Sequence, residues 1–346
     1  MKAIIFRENG GADRLELAEM ETPAPGPGQI LVQVKACGLN HLDIWARKGM
    51  PVDIPMPHIG GCDVAGVVAE LGEGVSGSKI GDRVIICPGQ VSGRYADDYP
   101  GNEPIHPDFQ IFGFHTQGGF AEYCVTDARH VVPVPRVLSH EEWAAIPLVF
   151  ITAYHMLFTR GGLKENERVL VHGAGSGLGS AAIQLAKLAG ATVITTSSND
   201  QKLARAVSEL HADATVNYQN TDIVSAVKDW TGGRGVNLVI ESIGPDVWDA
   251  SLASLAPGGR LVTAGATSGP NVSMSLRSLY MRSISVHGSY MGSRWELDKI
   301  VELAEARRIK PVVDHIFPLA ETANAQTRME NRENFGKIIV SNEVAV

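Results

Sequence analysis

Short alternations of apolar and polar residues fill the first part of the chain, and longer apolar runs separated by amphipathic stretches follow. Residues 29–36 alternate, with Ile30, Val32 and Val34 on one face, and read as a half-buried strand. Residues 64–72, 81–86 and 120–125 read as three further strands between Gly- and Pro-rich turns. Residues 87–113 are rich in Gly, Pro and Asp and read as a long loop, which compact domains usually retain for function. From Ser139 helix and strand alternate, and Ser139 with Glu141 and Glu142 behind it marks a capped helix start. Strands are then expected at 169–171, 191–196, 216–218, 236–241, 259–264 and 283–288, the succession of a doubly wound parallel sheet. The tail adds a helix over 296–306 and strands over 312–317 and 337–341.

One junction in this pattern carries chemistry. The strand 169–171 runs into a glycine-dense turn, 172–179, from which a helix starts at once and ends at Ala189-Gly190 before the next strand. A helix N-terminus presents unpaired N–H groups and a positive dipole end, the geometry that holds a pyrophosphate. Glycines let the backbone approach the phosphates and let the helix lie close on the strand. Read from Ala174, the turn puts Ala174 and Ser176 where the dinucleotide fingerprint has its first two glycines, with Gly179 as the third. The plainer alternative is a glycine-rich surface turn, against which the strand and helix on either side argue. An NAD enzyme commonly carries a carboxylate at the end of the second strand to bind the ribose hydroxyls. Here that position reads Ser197-Ser198-Asn199, with Lys202 and Arg205 beyond, which favours a 2′-phosphate and hence NADPH over NADH. The alternative is that Lys202 and Arg205 decorate a solvated helix face.

Composition narrows the class. At 346 residues the chain is long for one core and suggests two domains. A net charge of −8 and no basic run leave no footprint for nucleic acid. Cys37, Cys62, Cys87 and Cys124 are scattered without a CxxC pair, so a reduced, cytoplasmic protein is expected. No signal peptide is read at residues 1–6, and the most apolar stretch, 144–158, is too short to span a bilayer.

In this order the pieces resemble the medium-chain dehydrogenase/reductase superfamily, nearest its quinone oxidoreductase-like and zinc-type alcohol dehydrogenase-like members. The matching residues are 25–29 (PGPGQ), 38–43 (GLNHLD), 57–68 (PHIGGCDVAGVV), 81–84 (GDRV), 118–123 (GGFAEY), the glycine turn and 258–262 (GGRLV). The resemblance implies a GroES-like, β-rich catalytic domain from residues 1–151 and 291–346 and a Rossmann dinucleotide-binding domain over 152–290. Carried over residue by residue, it implies Ser176, Gly177, Leu178 and Gly179 at the pyrophosphate. Ser197, Lys202 and Tyr218 then surround the adenosine 2′-phosphate, Gly265, Ala266, Ser289 and Tyr290 run beside the nicotinamide, and 335–337 approach the cofactor. It also implies a homodimer through the sheet edge at 283–288.

The departures decide the chemistry. Zinc-type relatives have a cysteine where Asn40 stands and a histidine where Cys62 stands, and 147–149 hold no third ligand. Catalytic zinc takes three protein ligands and an open position, so no catalytic zinc is expected; the four-cysteine structural site is reduced to Cys87. Without a Lewis acid, simple alcohol oxidation lacks its electrophile. A conjugated acceptor is more forgiving, because hydride adds at the β-carbon and hydrogen-bond donors stabilise the enolate oxygen. NADPH-dependent reduction of an enone, enal or quinone is therefore the leading expectation, with an alcohol or aldehyde dehydrogenase and a non-catalytic nucleotide-binding adaptor as rivals. Asn40 is the first candidate donor, His41 a candidate proton relay and Asp43 its orienting partner. The plainer readings are structural: Asp43 as a solvated helix start, and Cys62 as a small packed residue.

Overall fold

The computed structural model describes residues 1–91 and 101–344. The chain forms β1 (Lys2–Ile5), β2 (Glu16–Glu19), β3 (Gln29–Gly38), α1 (His41–Lys48), β4 (Asp63–Leu71) and β5 (Arg83–Ile86). There follow β6 (Gly89–Gln90), β7 (Gln110–Ile111), β8 (Tyr123–Asp127), β9 (Val131–Pro133), α2 (His140–Ala144) and α3 (Pro147–Tyr154). The middle of the chain runs β10 (Arg168–Val171), α4 (Gly177–Leu188), β11 (Thr192–Ser197), α5 (Asp200–Leu210), β12 (Ala214–Asn217) and α6 (Ile223–Thr231). It continues through β13 (Val236–Glu241), α7 (Pro245–Ser254), β14 (Leu255–Thr263), α8 (Leu276–Met281) and β15 (Ser285–Gly288). The tail is α9 (Arg294–Glu305), β16 (Val313–Pro318), α10 (Thr322–Glu330) and β17 (Lys337–Ser341).

These elements fall into two compact units, Met1–Leu148 with Ser293–Val346, and Val149–Gly292. The first is built on a seven-stranded sheet, β16-β17-β3-β4-β5-β9, with β8 also on β3. All its pairings are antiparallel except β16 with β17. Its alternation is the expected one: Ile30, Val32 and Val34 join Val64, Val68, Val84, Ile86, Phe120, Ile338 and Val340 in one core. The strand expected at 120–125 starts later, at Tyr123, because Phe120 and Ala121 turn inward against β1: Ile4 N–H donates to Phe120 O at 2.8 Å. The expected long loop at 87–113 carries the short β6–β7 pair, and its residues 92–100 lie outside the described residues.

The second unit is a six-stranded, all-parallel sheet in the order β12-β11-β10-β13-β14-β15. The near-continuous apolar runs of β10 and β13 follow from helices covering a parallel sheet on both faces. Succession reverses between β10 and β13, and ligands bind outside the carboxyl ends of the strands at such a switch point. Small buried residues on α4, among them Ser180, Ala181, Ala182 and Ala186, let that helix lie close to the sheet.

Candidate active site

In the second unit the residues assigned to the cofactor gather at the carboxyl ends of the strands. The turn after β10 is set by two glycines. Gly173 has φ +74°, which L side chains rarely adopt, and a Cβ on Gly179 would stand 2.1 Å from Gly173 O. The left-handed residue of the turn is thus Gly173, just before the frame read from Ala174, and Gly179, the third position of that frame, is the one whose Cβ would clash. Ser176 caps α4, its Oγ accepting from Gly179 N–H at 2.8 Å, and Gly177 and Leu178 open the helix. The cradle of backbone N–H groups fits a pyrophosphate.

Neighbouring strand ends supply the rest. Ser197 ends β11, its Oγ accepts from Asn199 N–H, and its carbonyl accepts from Tyr218 N–H at 3.2 Å, which sets an exposed tyrosine beside it. Lys202 N–H donates to the Asn199 cap of α5 at 3.1 Å. Arg205 is different: it is paired with Glu209 one turn on, so the solvated-face reading holds for it. Asp200, at the first position of α5, accepts from Asn217 Nδ2 at 2.6 Å and brings a carboxylate to the same corner. Beyond β14, a Cβ on Gly265 would stand 2.7 Å from Ser242 O, with Ala266 next in the turn. Ser289 N–H donates to Thr263 O at 2.8 Å, which carries Ser289 and the exposed Tyr290 past the end of β15.

Two polar residues at these strand ends were not singled out in the sequence. Glu241, fully buried at the end of β13, accepts from Ile243 N–H, from Gly244 N–H at 2.5 Å and from Thr263 Oγ1 at 2.8 Å, tying the ends of β13 and β14 together. His172, the polar residue after Val169-Leu170-Val171, is buried with Nδ1 3.1 Å from Thr196 Oγ1 and Nε2 2.9 Å from Ser251 Oγ. Ser251 Oγ donates to Val247 O, so the imidazole must donate from Nε2 and accept at Nδ1. Burial lowers its pKa from 6.5 to about 4, and the ring is neutral.

In the first unit the expected catalytic residues stand at the start of α1, and the structure corrects two of their roles. Asn40 is buried, and its amide is consumed within the protein: Nδ2 donates to Asp63 Oδ2 at 2.9 Å and to Gly38 O at 3.4 Å, while Oδ1 accepts from Lys337 Nζ at 2.7 Å. It is therefore not a ready donor for a substrate oxygen. Asp43 is buried, not solvated, and does not orient His41. Its oxygens accept from Asn40 N–H at 2.7 Å and Gly61 N–H at 2.9 Å, and burial pushes its pKa up to about 7. His41 reaches solvent, with its ring 6.2 Å from that of Trp45. Desolvation, followed by the cations of Lys337 and Arg332, lowers its pKa from 6.5.

Lys337, placed near the cofactor by the resemblance, sends its ammonium to this cluster: Nζ donates to Leu39 O at 2.6 Å, Asn40 Oδ1 at 2.7 Å and Asp63 Oδ2 at 2.8 Å. Asp63 Oδ1 accepts from Leu148 N–H at 2.8 Å. Cys37 and Cys62 are buried nearby, and burial with the carboxylates of Asp43 and Asp63 holds both thiols well above their ordinary pKa. A zinc ligand set needs thiolates, neutral imidazoles or free carboxylates. An amide and a carboxylate already bonded to an ammonium do not fit one. Among the described residues no three His, Cys, Asp or Glu side chains converge as a metal-binding group, and no helix is long and apolar enough to cross a membrane.

The comparisons agree with this architecture. The model of the alcohol dehydrogenase GroES-like domain matches residues 26–136, and that of the zinc-binding dehydrogenases matches 177–306. A zinc-type alcohol dehydrogenase-like protein of Schizosaccharomyces pombe is 34% identical over 98% of this chain and 99% of its own. The crystal structure of an NAD-dependent alcohol dehydrogenase superposes with a TM-score of 0.94 at 40% identity, covering 99% of each chain. A 2-octenoyl-CoA carboxylase reductase in complex with NADP and 2-octenoyl-CoA superposes with a TM-score of 0.90 at 29% identity, over 98% of this chain and 87% of that one. The chain belongs to the medium-chain dehydrogenase/reductase superfamily, among its zinc-type alcohol dehydrogenase-like members, and is an oxidoreductase that uses a nicotinamide cofactor.

Proposed function

We propose that this oxidoreductase reduces a conjugated carbonyl acceptor, an enone, enal or quinone, with NADPH and without a catalytic zinc. The observation that carries the reading is the pair Asn40 and Asp63, which is engaged with Lys337 rather than arranged for a Lewis acid. The relative bound to NADP and 2-octenoyl-CoA acts on an acceptor of this kind. When bound, the reduced nicotinamide supplies hydride to the β-carbon. The chain's own part is to hold the dinucleotide at the Gly173–Gly179 turn and to pass a proton to the enolate, for which His41 is the candidate relay, one ring nitrogen donating while the other takes a proton from solvent.

NADPH rests on the absence of a carboxylate at Ser197-Ser198-Asn199 and on Lys202 and Tyr218 beside Ser197. The second reading is NAD⁺-linked alcohol oxidation, favoured by the Asp200–Asn217 contact and by the 40% identical NAD-dependent alcohol dehydrogenase. Initial rates for both cofactors against a panel of enones, enals and quinones, and in reverse against primary and secondary alcohols, separate the two. Turnover confined to alcohols with NAD⁺ would refute the first. A homodimer through β15 is part of the same proposal. That strand has an open edge, and α8 beside it exposes Leu276, Tyr280 and Met281.

A further inference from the structure

We infer that the ammonium of Lys337 is the resident cation of the Asn40–Asp63 cluster: it does by charge and hydrogen bonding what a metal ion does in zinc-type relatives, and it bars a divalent cation from the same acceptors. Three observations carry this. All three ammonium hydrogens have acceptors, at 2.6, 2.7 and 2.8 Å, and these come from two segments of the chain, the β3–α1 junction (Leu39 O and Asn40 Oδ1) and β4 (Asp63 Oδ2). The side chains of Lys337 and Asp63 are 4% and 0% exposed, so the pair is desolvated and its charges must balance in place. And the side-chain oxygens of Asn40 and Asp63 that a metal could claim are all engaged. Asp63 Oδ2 takes Lys337 and Asn40 Nδ2, Asp63 Oδ1 takes Leu148 N–H, and Asn40 Oδ1 takes Lys337.

The arrangement also explains why Asn stands at residue 40. An amide accepts from the ammonium through Oδ1 and donates to the carboxylate through Nδ2, bridging both charges, which a cysteine could not do. A buried lysine at the start of β17 thus fastens the tail strand to the head of α1 through this bridge.

The inference rests on the zinc-free part of the proposed function but is tested by stability and metal content, which acceptor specificity does not affect. Urea and thermal unfolding would be measured for the full chain, for Lys337→Met, for Asp63→Asn and for the double variant, together with zinc content after incubation with excess zinc and desalting. Lys337→Met leaves a buried carboxylate without its counter-charge and is expected to lower Tm by roughly 10 °C. Joining it with Asp63→Asn removes both charges and is expected to recover at least half of that loss. Simple loss of packing would instead make the two effects add. The unmodified protein is expected to retain less than about one-tenth of an equivalent of zinc. If Lys337→Met does not accumulate folded, the zinc content of the unmodified protein and the Tm of Asp63→Asn, lowered through its unpaired lysine, still decide. Additive losses in the double variant, an unchanged Tm in Lys337→Met or Asp63→Asn, or stoichiometric zinc whose removal lowers Tm would each overturn the inference.

Discussion

Acid should weaken the second unit through a single imidazole. His172 is buried behind the glycine turn that follows β10, donating from Nε2 to Ser251 and accepting at Nδ1 from Thr196, whose oxygen lies 3.4 Å from Gly173 N–H. Protonating Nδ1 would set a second hydrogen against the Thr196 hydroxyl, in a site with no carboxylate partner. Burial therefore holds the pKa at about 4, while the unfolded chain titrates at 6.5. Between those values the unfolded state carries the extra proton, so stability falls as pH drops from 6.5 to 4 and loses nothing further below. At about 1.4 kcal/mol per unit the loss is about 3 kcal/mol. The assay is urea unfolding followed by tryptophan fluorescence from pH 7 to 4, comparing the protein with His172→Gln, which keeps a donor and an acceptor but does not titrate. The stability difference between the two should shift by about 3 kcal/mol across the window. His130, also lowered to about 4, contributes equally to both and cancels. Parallel profiles, or a ring titration of His172 by NMR centred near 6.5, would refute the reasoning.

Gly179→Ala should weaken dinucleotide binding at least about tenfold with far-ultraviolet circular dichroism unchanged, because the new methyl would stand 2.1 Å from Gly173 O and must open the turn; an unchanged Kd by fluorescence titration would count against the site. His41→Phe should reduce turnover of an enone about a hundredfold while leaving the NADPH Kd within about twofold. Equal turnover would remove His41 as the proton source. Tyr280→Glu, placed on the exposed face of α8, should convert a dimer to monomer in solution scattering; a protein already monomeric before the substitution would rule out the β15 edge as an interface.

Where packing alone sets an element, the sequence showed it. The alternation of residues 29–36 became β3, the apolar run 236–241 coincides with β13, and 337–341 with β17. Ser139 caps α2 as the sequence indicated, and Glu142 in addition reaches back to its backbone. Boundaries moved where distant contacts intervene, as at Phe120 under β1. At the glycine turn the spacing does not record which residue is left-handed, and the backbone puts that conformation at Gly173, just before the frame read from Ala174.

Of the Asn40–Asp63–Lys337 cluster the sequence singled out Asn40 as a candidate but not its bonding to the other two, and the reason is sequence distance. Asn40, Asp63 and Lys337 are brought together by antiparallel pairing of β3 with β4 and with β17, contacts that span 23 and 297 residues. Local reasoning sees Asn40 as a free amide and Asp43 as a polar helix start, because it cannot count the acceptors already waiting for their hydrogens. A signal was nevertheless present: Lys337 opens the otherwise apolar run Ile338-Ile339-Val340, and a lysine entering a core must find an anion there. The same logic applies to Glu241 at the end of Leu238-Val239-Ile240 and to His172 after Val169-Leu170-Val171. Each is a polar residue terminating a buried parallel strand, where unpaired N–H and hydroxyl groups of the adjoining turn are available.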